Sequence, residues 1–149
     1  MPRRAARPIW ISALVLLIGA ASLVARWPDR GLWYDETVNA HFASQSWGAI
    51  FEWTARIDNQ VPLHFALLKL WSAVAGTSEF ALRAFSFFCA LLLLSGLIAL
   101  GHRAGGRIGA GWWAALAFLP AQSFLYAAFE VRPYGLALAL FAWSSALLW

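Results

Sequence analysis

Charge is the scarcest property of this 149-residue chain: Asp, Glu, Lys and Arg make up 12% of it, against about 25% in an ordinary soluble domain. With 62% hydrophobic residues, the sequence excludes both disorder and a water-covered globular surface, and a bilayer protein is the expectation. Cysteine is nearly absent as well. Cys89 stands alone in an apolar run, so no intrachain disulfide can form and the residue reads as a small core side chain. The sequence has no Cys/His cluster with zinc spacing, no phosphate-cradling glycine loop and no nucleophile motif. Length sets a further bound, because a spanning helix takes about 20 residues. The chain has room for a few spans and one sizeable loop, and is short for a complete transporter or membrane enzyme.

The few charges are sorted along the chain. Asp29, Asp35, Glu36, Glu52, Asp58 and Glu79 lie between Arg26 and Arg83, and Glu130 is isolated. The net charge of +4 comes largely from Arg3, Arg4 and Arg7 and from Arg103 and Arg107 in a glycine-rich turn. Short basic loops stay in the cytoplasm, so this excess reads as topology and not as a nucleic-acid footprint.

Spans are expected at about 9–26, 80–101, 109–129 and 133–149, each an apolar run with few or no charges. The first could also be a signal peptide, but its apolar stretch exceeds the usual 7 to 15 residues or so and no convincing small-x-small cleavage site follows. A retained helix with a cytoplasmic N-terminus is the better reading. The last run is apolar through Trp149, which suggests a fragment of a longer protein. Between Pro62 and Gly76, start and stop signals frame a helix over 63–75. It would rise only about 20 Å against a hydrocarbon core of about 30 Å, and Lys69 would sit near its centre. Leu63, Leu67, Leu70, Trp71 and Val74 recur at helical spacing, as expected of an interfacial helix. Leaving this helix out of the span count keeps both basic clusters inside and puts the acidic loop, 27–79, and Glu130 together outside. The expected fold is an all-α membrane protein, a single transmembrane domain over 1–149 with about four spanning helices and a large first external loop carrying short juxtamembrane helices.

Chemistry is expected in that loop and at Glu130. Trp33-Tyr34-Asp35-Glu36-Thr37 opens a short helix, with Asp35 as its N-cap, Glu36 in the first turn, and Val38, His41 and Phe42 on one face. A capped helix resting on the membrane is the plain alternative. Two adjacent carboxylates beside aromatic rings at the bilayer edge are nonetheless expensive unless their charge is used. Glu130-Val131-Arg132-Pro133-Tyr134 sets a carboxylate and a guanidinium two residues apart between apolar helices. It reads either as an interfacial anchor with Tyr126 and Tyr134 in an aromatic belt, or as a forked donor set for a phosphate at the membrane surface. His64, after Asp58-Asn59-Gln60, could bind a metal or carry a proton, although a packed histidine is the commoner case.

These segments, with Gly76-Thr77-Ser78-Glu79-Phe80-Ala81-Leu82-Arg83 leading into a span, together resemble the N-terminal part of GT-C fold glycosyltransferases, in the protein O-mannosyltransferase and aminoarabinose transferase superfamily. The resemblance runs from about Arg26 to Tyr134. It implies inverting transfer of a sugar from a polyprenyl-phosphate donor to a lipid, glycan or protein acceptor on the periplasmic or extracellular face of a bacterial inner membrane. Asp35 then matches the family's loop acid, general base or orienter of the acceptor, and Glu36 the second acid of the pair. Glu130 and Arg132 match the second external loop, where the arginine can contact the donor phosphate, and Tyr134 and His64 join them as candidates for substrate binding. Asp35, Glu130 and His64 are also the candidates for a divalent metal ion; no other cofactor is implied. Complete members of the family continue through many more spans, so the chain would be the front portion of such an enzyme and inactive alone. A non-catalytic membrane scaffold is the main alternative. A transporter fits less well because the span interiors carry no acid for an ion or proton relay.

Overall fold

A computed structural model describes residues 9–56, 61–105 and 109–149. The expectations that involve Arg3, Arg4, Arg7, Asp58, Asn59, Gln60 and Arg107 therefore lie outside the described residues. The described chain is all-helical: α1 Ile9–Val24, α2 Tyr34–Ser44, α3 Trp47–Arg56, α4 Pro62–Ala75, α5 Glu79–Ala104, α6 Ala110–Phe118, α7 Gln122–Phe129 and α8 Tyr134–Leu148.

Local signals set most boundaries. Pro62 occupies the first turn of α4, where its missing N–H costs nothing, and Gly76 ends that helix at φ 89°, a conformation that favours glycine. Ser78 caps α5, its hydroxyl accepting from the Ala81 amide at 3.2 Å. The N-terminal end of α5 is pinned to α4 by the Trp71 indole N–H, which donates to the Ala81 carbonyl at 2.7 Å.

α5 is the central element. Its 26 residues rise about 39 Å, and it alone is long and apolar enough to cross a membrane unaided. α1, α6, α7 and α8 pack around it, burying Leu23, Ala90, Leu94, Phe124, Ala128 and Ala139 in one apolar core. Small residues permit close approach: a Cβ on Gly101 would stand 2.6 Å from the Gly111 Cα, and one on Gly96 only 3.0 Å from both Ala142 and Trp143. A second cluster joins Ala43, Leu68, Leu82 and Val131, seating α2 and α4 on the N-terminal end of α5.

Two sequence-based expectations need revision. The run 109–129 is two helices meeting at 76° and counts as a span only if the bent pair is taken as one. The cause is Pro120, which has no N–H to offer the Leu116 carbonyl; the Leu119 amide takes that oxygen at 3.3 Å and the Ala121 amide bonds Phe118 at 3.1 Å, so the ladder tightens and turns. The turn expected from His102 starts later, because α5 continues to Ala104 and the Arg103 guanidinium donates to the Ala146 carbonyl near the end of α8. In α4 the side facing the protein is His64, Phe65 and Leu68, whereas Leu63, Leu70 and Val74 point outward and Lys69 donates to the Gln45 carbonyl at 2.6 Å, just past the end of α2.

Candidate functional site

The polar residues converge where the loop before α2, the start of α5 and the turn between α7 and α8 meet. α2 begins earlier than Asp35: Trp33 is its N-cap, which puts Asp35 and Glu36 at the second and third helical positions. Glu36 reaches back from there to accept the Trp33 amide at 3.1 Å. Helical spacing then turns Glu36, Asn39 and Ala43 inward and leaves Val38 and His41 on the outer sides.

Glu36 is fully buried and fully occupied. Arg83 donates to both of its oxygens, at 3.3 and 3.0 Å, and the Val131 amide donates to Oε1 at 3.2 Å. The same guanidinium donates to the Arg30 and Gly31 carbonyls at 2.6 and 3.0 Å. One buried ion pair thereby ties the loop, α2, α5 and the 130–132 turn together. The turn is held further by Asn39, donating to the Val131 carbonyl at 2.8 Å, and by the Ser86 hydroxyl, donating to the Glu130 carbonyl at 2.6 Å. The Glu130 carboxylate is buried too, accepting from Arg30 at 2.7 Å and from the Trp33 indole N–H.

Asp35 is different. Its side chain keeps 38% of its surface, against 0% for Glu36 and 4% for Glu130, so it is the carboxylate of the three that a substrate can reach. Its partner is Arg132, with Nη1 at 3.0 Å from Oδ2. Nη1 also donates to the Tyr126 hydroxyl at 3.0 Å, and the guanidinium lies 4.8 Å from the Tyr134 ring and 5.8 Å from the Trp33 ring. Burial opposes the Arg132 charge, but the hydrogen bond to Tyr126 and the fields of Tyr134, Tyr126 and Asp35 outweigh it and hold the guanidinium above its ordinary value. Tyr126 and Tyr134 also line an apolar groove of about 490 Å³ between α7 and α8, floored by Ala127, Ala137 and Leu138.

Asp35, Glu36, Glu130, Arg132 and Tyr134 are thus brought into one cluster. His64 is not part of it. Its ring lies between Phe65 and Phe85, fully buried, with neither nitrogen meeting a polar atom, and burial pushes its pKa down to about 4. Asp35 and Glu130 each face an arginine, and among the described residues no three His, Cys, Asp or Glu side chains gather. Asp35, Glu130 and His64 are thus not gathered at one point in this structure.

Sequence reasoning missed Arg30, Trp33 as a donor, Asn39, Arg83 and Ser86. Two signals were there to be read: a lone arginine in the opening turns of a long apolar helix needs a buried anion, and Ser86 follows Arg83 on the same face. No known protein family, curated protein or solved structure matches this chain.

Proposed function

We propose that this chain carries the reaction site of a membrane glycosyltransferase of GT-C type, moving a sugar with inversion from a polyprenyl-phosphate donor to an acceptor hydroxyl on the periplasmic or extracellular face. The reading rests on one observation above all: an accessible carboxylate, Asp35, paired with a guanidinium, Arg132, whose tyrosine neighbours Tyr126 and Tyr134 line an apolar groove. A long-chain phosphoester needs that combination, a fork for the phosphate beside an apolar path for the chain.

The chemistry follows from the residues. Asp35 takes the acceptor proton as the acceptor oxygen attacks the anomeric carbon opposite the phosphate. The carbon–oxygen bond to the phosphate breaks, its electron pair stays on the phosphate oxygen, and Arg132 balances the charge that develops there without transferring a proton. Glu36 and Glu130, sequestered by Arg83, Arg30 and Trp33, fix the backbone that carries Asp35 and Arg132.

A four-span arrangement suits this chemistry: α1, α5, the bent α6–α7 pair and α8 cross, and α2 to α4 lie on the outer surface. Its support is the apolar side chains that remain exposed on all four, among them Leu17, Phe88, Trp113 and Phe141. So much exposed hydrophobic surface requires an apolar surrounding. α1 and α8 rise only about 24 and 22 Å, and thinning of the bilayer or snorkelling of flanking residues bridges the remainder.

The test is genetic and biochemical together. Cells lacking the protein should accumulate a polyprenyl-phosphate-linked sugar and lose that sugar from an envelope component. Wild type should restore it, whereas Asp35→Asn made at equal levels should not. An unchanged lipid-linked sugar pool would overturn the enzyme reading and favour a non-catalytic membrane scaffold.

A further inference from the structure

The contact between Asp35 and Arg132 poses a problem for the reaction just described, since the base and the phosphate ligand are bound to each other. The two side chains form a 3.0 Å ion pair, both partly exposed, with no second acid on Arg132 among the described residues. Glu130, two residues from Arg132 in sequence, belongs to Arg30, and Glu36 belongs to Arg83. Arg132 therefore has one anionic partner among the described residues, and that partner is the group expected to accept the acceptor proton.

We propose that Arg132 is a counter-ion shared between Asp35 and the donor phosphate, so that Asp35 becomes a competent base only after the donor has bound, and donor binds before acceptor reacts. This rests on the donor-phosphate reading of Arg132. The guanidinium stands 3.0 Å from Oδ2 and draws on the carboxylate's charge. A phosphate binds a guanidinium through the same planar edge that suits a carboxylate. Once it arrives, two anions compete for one cation, and Asp35 is left beside a negative charge with a weakened partner. Its oxygen is then free to take the acceptor proton, and the leaving phosphate, gaining charge as the sugar departs, holds Arg132 more firmly still. The device guards against wasteful chemistry, because Asp35 cannot activate a hydroxyl or a water in a site without donor.

The competition works in both directions, which makes it measurable with farnesyl phosphate as probe and the full chain in nanodiscs. Removing the carboxylate should strengthen binding: Asp35→Asn should hold farnesyl phosphate at least about tenfold more tightly than wild type, because the like charge beside the phosphate is gone. Asp29→Asn makes the same change in net charge on an exposed residue that forms no ion pair with Arg132 and should leave affinity within about twofold. In wild type, adding farnesyl phosphate should shift a carboxylate infrared band that the Asp35→Asn protein lacks. Equal or weaker binding by Asp35→Asn, an equal gain in Asp29→Asn, or an unmoved carboxylate band would overturn the shared counter-ion. Failure of both wild type and Asp35→Asn to bind would instead remove the phosphate from Arg132, and the ordering with it.

Discussion

Of the three carboxylates that converge on this site, two are buried in hydrogen-bonded pairs and one stays partly exposed beside Arg132, and burial decides which is which. Sequence placed Asp35 and Glu36 together but could not say which would turn inward, because that depends on α2 starting at Tyr34 and on an arginine 47 residues away. The buried pair gives a sharp prediction. Glu36→Ala leaves the Arg83 charge uncompensated and should destabilise the protein by about 3–5 kcal/mol in a detergent melt, whereas replacing both by apolar residues of similar volume should recover most of that loss. Recovery absent from the double variant would mean that the backbone contacts of Arg83, not its charge pairing, hold the loop. His64 carries a second prediction. Folded, it stays neutral down to about pH 4, while its unfolded value is 6.5, so the unfolded state binds the extra proton between those values. Stability should fall as pH drops from about 6.5 to about 4, by about 3 kcal/mol in all. His64→Phe should flatten that part of the melting profile relative to wild type; an identical profile would show that the imidazole is not held neutral.

At the scale of elements, the helices were legible wherever a turn chemistry marked their ends, as Pro62, Gly76 and Ser78 do for α4 and α5. What hydrophobicity hid was the break inside 109–129, where Pro120 interrupts an otherwise unbroken apolar run, and the side of α4 that packs on the protein, where His64 is buried with Phe65 and Leu68. The bend matters for function because α7 delivers Tyr126 and the 130–132 turn to the site. Pro120→Ala restores an N–H for the Leu116 carbonyl and removes a penalty of about 3 kcal/mol on continuous helix. Spin labels at residues 113 and 125 should then move farther apart as the 76° bend opens. An unchanged distance would assign the bend to packing against α5 and α8.

The molecule as a whole divides into an apolar bundle built on α5 and a polar cap of α2 to α4, with the charged cluster at the seam. Scarce charge already pointed to a membrane. What composition alone could not convey is that the charges form a connected network, since Arg30, Trp33, Arg83 and Ser86 meet their partners only through long-range packing. The four-span topology predicts that, in a Cys89→Ala background, Thr77→Cys reacts with an impermeant maleimide on intact cells and Ala104→Cys only after permeabilisation. Labelling of both from one side would refute it. The most direct test of the central claim is turnover: the full-length wild-type protein reconstituted with a panel of radiolabelled polyprenyl-phosphate sugars and host membrane acceptors. Transfer of one sugar, lowered about 100-fold or more in both Asp35→Asn and Arg132→Gln at full membrane insertion, is the predicted result; transfer that persists undiminished in Asp35→Asn would contradict it.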